Sequence, residues 1–424
     1  MTNSLPTPGG SSNVWGPQIN NWLLVAHNAD GTLQPSAVSA LLPTLLAALL
    51  APDADQTPAL EHGLLSTAPG ALPLFAAIAN RNTARVDIPV IGDSITSGRG
   101  STTFAGTWVQ QANRAIRTAY PTTVNGVAGG FGFIPIQQSD GSATYPFPFI
   151  QTGTVGAFDC GPIRACSFAG AGWSATWTAP AGTTSVRIMY YDTSTSGTFS
   201  WKVGAGGTTN ISNAGSLLDT LSAPIAITSG QVLTIANVSG SVAIDGIVHF
   251  AGDENSGITF HNCGRSGWCA GTETTVGWNV PEQYALNWAQ VYASAFPNLA
   301  ALAIMLGTND SIATVGNRTA AQFQSDLTAL IATLRGAATA LAAVPLLVIA
   351  TYGHQATYAD AGGWAAYTAA MRAAAAADGN ALVIDLSYRF SFGASGPLQY
   401  DTFHPSNAGA ALIGEIVTAG LGIA

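Results

Sequence analysis

The sequence predicts an α/β protein: a mostly parallel sheet covered by helices on both faces, in three layers, with an antiparallel β-sandwich inserted into it. Two observations carry this prediction. Short, largely apolar runs alternate with Ala-rich helical stretches, the pattern of strands that are buried on both faces. Between the first and second of these runs lies a long segment with a period of two, punctuated by Gly, Ser, Thr and Asn, as expected of antiparallel strands joined by turns.

Residues 1–80 read as a separate attachment and helical segment. It is rich in Ser, Asn, Gly and Pro around residues 15–25, then dense in Leu and Ala over 37–51, with a second apolar stretch running to about residue 79. At 86–91 the run Val-Asp-Ile-Pro-Val-Ile ends in Gly92, as a buried strand does. Further strands are expected at 258–261, 299–306, 345–352 and 381–386, the last three separated by helical stretches at 320–341 and 364–377. The α/β part thus spans 81–135 and 256–424, and the insertion 136–255. Alternating segments at 185–191, 197–203, 231–236 and 241–250 make the insertion a sandwich of jelly-roll type. Its Trp173, Trp177, Tyr190, Tyr191 and Trp201 are candidates for a sugar-stacking face, although aromatics at alternating positions are more often core.

Composition narrows the function. Of 424 residues 47% are hydrophobic and 8% charged, against about 25% charged in an average domain, so a charge-driven disordered chain is excluded. The 48 glycines and 22 prolines follow no collagen period and point to many turns. Thirteen basic residues, of which Lys202 is the single lysine, face 22 acids for a net charge of −9. No basic stripe to track phosphates can be built from these, so a nucleic-acid partner is not expected. The longest apolar run, 37–51, is broken by Pro43 and falls short of the roughly 20 residues that span a bilayer. No membrane span is expected, and residues 1–17 show no signal-peptide pattern.

The four cysteines form two pairs of identical spacing, Cys160 with Cys166 and Cys263 with Cys269. Neither has the C-x-x-C spacing of a zinc or redox site. Three disulfide connectivities are open; two local bridges are the favoured reading, and they imply work outside a reducing cytosol. His27, His62, His249, His261 and His354 are scattered, so neither a metal nor a cofactor is expected.

In Ile91-Gly92-Asp93-Ser94-Ile95-Thr96 a serine follows the first buried strand at the start of a helix. There a hydroxyl projects from the carboxyl end of the sheet, beside unpaired helix N–H groups that face developing negative charge. Alone, Ser94 would read as a helix cap. Near the C-terminus, however, Asp401-Thr402-Phe403-His404-Pro405 puts a carboxylate three residues before a histidine, a spacing that suits a base and its orienter. The sequence around Ser94 lacks the G-x-S-x-G of a nucleophile elbow.

These residues resemble the GDSL or SGNH hydrolase superfamily, whose blocks match here in order: Gly92-Asp93-Ser94-Ile95, Asn262-Cys263-Gly264-Arg265-Ser266-Gly267, Gly307-Thr308-Asn309-Asp310, and Asp401 to His404. The resemblance covers roughly 86–135 and 256–424. It implies a flavodoxin-like three-layer fold and a serine esterase with Ser94 as nucleophile, His404 as general base and acid, and Asp401 as orienter. It further implies an oxyanion hole from the Ser94 and Gly267 amides and the Asn309 side chain, with Gly264 as the rival for Gly267. Trp268 and His354 are candidates to line the pocket, and a Cys263–Cys269 bridge would hold the oxyanion loop.

The N-terminal Trp15-Gly16-Pro17-Gln18-Ile19-Asn20-Asn21-Trp22-Leu23, the segment His27-Asn28-Ala29-Asp30-Gly31-Thr32 and the large insertion resemble actinobacterial phage and prophage tail proteins. This implies attachment to a virion or oligomeric assembly and an extracellular or virion-associated location. The expected reaction is hydrolysis of short-chain acyl esters, with O-acetyl groups on cell-surface carbohydrate as the leading substrate. A lipid-directed esterase or thioesterase, and a catalytically idle tail receptor-binding protein, are the alternatives.

Overall fold

The computed structural model describes residues 72–122, 129–136, 148–153, 155–158, 161–163, 166–170, 172–192, 197–271, 285–387, 390 and 396–421. The expected attachment segment therefore lies outside the described residues, except for its last stretch, which forms helix α1 (Leu72–Ala79). Then follow β1 (Val86–Gly92), the single-turn α2 (Ser94–Ser97) and α3 (Trp108–Ala119). Next comes a run of strands: β2 (Gly129–Pro135), β3 (Phe149–Thr152), β4 (Val155–Phe158), β5 (Cys166–Ala169), β6 (Ser174–Thr178) and β7 (Ser185–Tyr191). It continues through β8 (Thr198–Val203), β9 (Thr209–Ser212), β10 (Asp219–Leu221), β11 (Ile225–Ala226), β12 (Val232–Ser239) and β13 (Val242–Ala251). The chain then returns to alternation with β14 (Ile258–Gly264), α4 (Ala285–Ala295), β15 (Leu302–Met305), α5 (Thr308–Ser311), α6 (Ala320–Ala337) and α7 (Thr339–Ala342). It ends with β16 (Leu346–Ala350), α8 (Gly363–Asp378), β17 (Ala381–Asp385) and α9 (Asn407–Gly420).

Five of these strands form a parallel sheet in the order β14-β1-β15-β16-β17. Their residues are buried along the whole length of each strand, which explains why they read as apolar runs rather than alternating ones. Alternate side chains go to opposite cores. Val86, Ile88 and Val90 pack with Leu74 of α1, Trp108 and Ile116 of α3, and Ile413 and Val417 of α9. Ile304 and Val348 pack with Phe296 just after α4, Leu327 and Ile331 of α6, and Met371 of α8. Pro89 in central β1 is tolerated because the ladder to β15 is interrupted there, between the Asp87–Leu299 bridge and the Val90–Ala303 pair.

The expected helix at 320–341 divides into α6 and α7, because Ala338 is extended at φ −155° and ψ 149°. A capping box between Thr319 and Gln322 starts α6.

Between α3 and β14 the strands form two antiparallel sheets. One runs β10-β7-β13-β5-β4, with β11 on β7 and β2 on β13; the other runs β3-β6-β12-β8-β9. A third core joins them, with Ile188, Ile244 and Ile247 from the first sheet and Trp177, Phe199, Leu233 and Ile235 from the second. The expected aromatic stacking face does not form. Trp173 and Trp177 are buried at 1% exposure, Tyr190 is buried, and Trp201 packs against the same core. The outward positions of β6 and β12 hold Ser174, Thr176 and Thr234 instead.

Strand β2 ties the two parts together. Phe133 N–H donates to His261 Nδ1 at 3.0 Å, and His261 Nε2 lies 2.9 Å from Asp87 Oδ1, which Arg85 also holds. Burial pushes the His261 imidazole down against the pull of Asp87. With Nδ1 accepting, the ring is the neutral tautomer that donates from Nε2. No helix among the described residues is long and apolar enough to cross a membrane.

Candidate active site at the carboxyl ends of the parallel strands

Strand β1 ends at Gly92, where a Cβ would stand 2.1 Å from Thr96 Oγ1. Only glycine lets the chain turn this tightly into α2. Asp93 caps that turn by accepting from Ile95 N–H at 2.8 Å, and Gly98 closes it in the left-handed region at φ 99°. One turn of helix thus fixes Ser94, buried at 7% exposure, at the carboxyl end of the sheet's inner strand.

The C-terminal loop comes back to this point. His404 Nε2 lies 2.8 Å from Ser94 Oγ, and His404 Nδ1 lies 2.8 Å from both Asp401 oxygens. Asp401 Oδ1 also accepts from the Phe403 and His404 amides at 2.8 Å. Burial works to raise the Asp401 carboxyl. The hydrogen bond and charge of His404 outweigh it, with the two amides, and bring it down to about 2. An ionised Asp401 accepts a hydrogen bond from Nδ1–H and so keeps the proton on that nitrogen, which leaves Nε2 as the acceptor for the Ser94 hydroxyl. The loop itself is pinned by Tyr352, whose hydroxyl donates to Phe403 O at 3.1 Å.

Asn309 lies in α5, directly after β15, and its Nδ2 donates to Trp268 O at 3.0 Å. That bond links the Gly307-Thr308-Asn309-Asp310 segment to the loop that carries Gly267, whose φ of 79° favours glycine. Gly264 has a different part: a Cβ there would come within 2.4 Å of Ser97 N, so its absence lets β14 lie against α2. Among the described residues no group of three or more His, Cys, Asp or Glu side chains is placed to hold a metal ion.

Two expectations need correction. Cys263 and Cys269 are both buried and form no disulfide bridge. Cys263 points from β14 into the core that holds Ile91 and Ile304, and Cys269 Sγ turns toward Gly267 O at 3.8 Å. Burial raises the Cys263 thiol above its usual range. The loop is held without a bridge, by Asn309 on Trp268 O and by Ala270 N–H on Asp310 Oδ1 at 2.8 Å. Trp268, expected to line the pocket, is fully buried in the core. His354 is nearly buried as well: its Nε2 lies 2.8 Å from Ser311 Oγ, and its ring stacks on Tyr358 at 4.3 Å and faces Phe403 at 5.6 Å. It braces the loops around the site, and burial lowers its pKa to about 4. The pair Cys160 and Cys166 lies outside the described residues, except for the backbone of Cys166 in β5.

Two carboxylates escaped the sequence reading. Asp93 and Asp310, beside Ser94 and Asn309, are fully buried, and burial raises each to about 7. For Asp93 the charge of Asp310 adds to the shift. Both stand inside the recognised blocks, so their positions were visible. Their desolvation was not.

Residues 243–412 match the model of the GDSL-like Lipase/Acylhydrolase family. The match covers Asn309, Asp401 and His404, while Ser94 lies ahead of it, in α2 just after β1, the strand that the sheet places between β14 and β15. No curated protein matches the chain. A solved structure of a peptidoglycan O-acetylesterase is similar at a TM-score of 0.58 and 17% identity, covering 84% of this chain and 97% of that one. At this identity the likeness shows a shared fold. Two carbohydrate esterases superpose more loosely. A family 2 enzyme with a carbohydrate binding domain from Corynascus thermopiles (Myceliophthora fergusii) has 14% identity and a TM-score of 0.31, covering 64% of this chain and 98% of its own. An active-site mutant of a family two enzyme from Clostridium thermocellum has 13% identity and a TM-score of 0.31, covering 64% and 96%. With the family match and the site geometry together, the chain carries a domain of the GDSL-like lipase/acylhydrolase family and is a carboxylic ester hydrolase.

Proposed function

We propose that the protein is a serine esterase that removes short acyl groups, acetyl foremost, from carbohydrate. The observation that carries this reading is the 2.8 Å contact of His404 Nε2 with Ser94 Oγ, backed by Asp401 on Nδ1. His404 takes the Ser94 proton as the oxygen attacks the ester carbonyl, and Asp401 stabilises the imidazolium. The oxyanion meets the Ser94 and Gly267 amides and the second N–H of Asn309 Nδ2, whose first is committed to Trp268 O. His404 then protonates the leaving alcohol, and water, deprotonated by the same nitrogen, releases the acid and restores Ser94.

The helices on both faces of the parallel sheet support a three-layer domain built from residues 81–135 and 256–424, with the antiparallel sheets as an inserted jelly-roll-like sandwich. Residues 1–80 act as the attachment segment, in line with a virion-associated or extracellular protein. For the acetyl group on carbohydrate, support comes from the fold shared with a peptidoglycan O-acetylesterase. The test is hydrolysis of 4-nitrophenyl acetate, butyrate and octanoate by the wild type and by Ser94→Ala. Acetate turned over fastest, with activity lost in the variant, is the expected result; fastest turnover of octanoate would favour a lipid-directed esterase.

A further inference from the structure

Most arginines among the described residues are committed, Arg81, Arg117 and Arg265 to backbone carbonyls. Arg85, Arg187, Arg318, Arg335 and Arg372 each hold a carboxylate. Arg99 differs. It is half-buried, its Nε is shielded from solvent, and no acceptor among the described residues bonds it. With Nε shielded and without a partner, the half-exposed side chain is left to pair through its remaining N–H groups, and a ligand that brings an acceptor can use them.

Its place in the fold matters. Arg99 N–H donates to Ser94 O at 3.0 Å, so the residue follows the nucleophile's turn directly. The next residue, Gly100, has φ 91°, and a Cβ there would stand 2.4 Å from Pro405 O and 2.8 Å from Tyr400 Cβ. Arg99 therefore sits where the turn carrying Ser94 meets the loop carrying Asp401 and His404. On that loop Tyr400 donates its amide to His404 O at 2.9 Å and leaves 53% of its surface exposed. The other large apolar side chains exposed among the described residues, Ile150, Leu217, Leu218 and Val238, lie in the antiparallel sheets and their loops. An exposed aromatic ring and an arginine side chain without a partner among the described residues thus come from the two segments that meet beside the site. On a chain of net charge −9, an anionic ligand is repelled at long range, so a local cation decides whether one is accepted.

We propose that Arg99 and Tyr400 form the subsite for the alcohol half of the ester, and that this alcohol is a sugar bearing a carboxylate. The inference rests on the carbohydrate-ester reading. The guanidinium fork takes the carboxylate by paired N–H···O bonds, and the Tyr400 ring offers a flat apolar face to the sugar ring.

The test compares two probes, partially O-acetylated oligogalacturonates and partially O-acetylated xylo-oligosaccharides, in the wild type, Arg99→Gln and Tyr400→Ala. The wild type is expected to prefer the acidic probe, with the preference eroded as ionic strength rises. Arg99→Gln is expected to cut that preference about tenfold, mainly through KM, as loss of a charge-assisted pair does. Tyr400→Ala is expected to raise KM for both saccharides. A wild type that prefers the neutral probe, or an Arg99→Gln variant that alters both probes equally, overturns the proposal while leaving the carbohydrate-ester reading standing. A wild type that cleaves 4-nitrophenyl acetate and neither saccharide overturns that reading and this subsite with it.

Discussion

His404 Nε2 and Ser94 Oγ meet at 2.8 Å across 310 residues of sequence. The parallel sheet makes this possible: β1 delivers Ser94 at its carboxyl end, and the loop ahead of α9 returns over the same edge. The proton path between them depends on the tautomer that Asp401 imposes. Asp401→Asn removes the charge that favours Nδ1–H, and a drop in kcat/KM of about 10⁴-fold is expected, with KM little changed. Steady-state kinetics on 4-nitrophenyl acetate measure it.

Asn309 contributes one N–H to Trp268 O and, in the proposed mechanism, the other to the oxyanion. Asn309→Ala is expected to lower kcat by about 10²–10³-fold. Circular dichroism on the same variant separates this from a loss of fold. A kcat within twofold of wild type would remove Asn309 from the oxyanion hole.

Asp93 and Asp310 set a pH dependence of stability. Burial raises both to about 7 in the folded protein from 3.8. A group with a raised folded pKa holds its stabilisation below the unfolded pKa and loses it as pH rises through the folded value. Asp310→Asn keeps an oxygen for the Ala270 amide and cannot ionise. The melting temperature of this variant relative to wild type is expected to climb between about pH 4 and 8. Thermal melts across that range check it, and a constant difference would contradict the buried-acid assignment.

Cys263 and Cys269 are buried and unbridged. In a variant carrying Cys160→Ser and Cys166→Ser, a thiol reagent should label nothing in the native state and both remaining cysteines in denaturant. Pretreatment with reductant should change neither count nor activity.

Gly264→Ala puts a methyl 2.4 Å from the Ser97 backbone nitrogen. Backbone cannot give as a flexible side chain can, so α2 must shift and carry Ser94 with it. A destabilisation of about 1–3 kcal/mol is expected, with kcat falling alongside, read from urea melts and steady-state rates.

Much of this site was visible in the chain because its parts are local. Ser94 after a buried strand, and Asp401 three residues before His404, are short-range patterns, and the sheet brings them together. The parallel strands were legible for a related reason: burial on both faces leaves continuous apolar runs. What the sequence hid depends on direction and environment. Alternating aromatics at Trp173, Trp177 and Trp201 announce a strand face without saying whether it turns in or out, and here it turns in. The matched spacing of the cysteines says nothing of where β14 aims the Cys263 thiol. Nor does an aspartate in a short motif reveal that both Asp93 and Asp310 lie beyond the reach of water.

Labelling with an organophosphate such as diisopropyl fluorophosphate, followed by peptide mass mapping, tests the serine mechanism most directly. The expected result is one adduct on Ser94, with esterase activity lost in proportion to labelling, and neither adduct nor activity in Ser94→Ala. Activity that survives in Ser94→Ala, or an adduct on another residue that tracks inactivation, would contradict it.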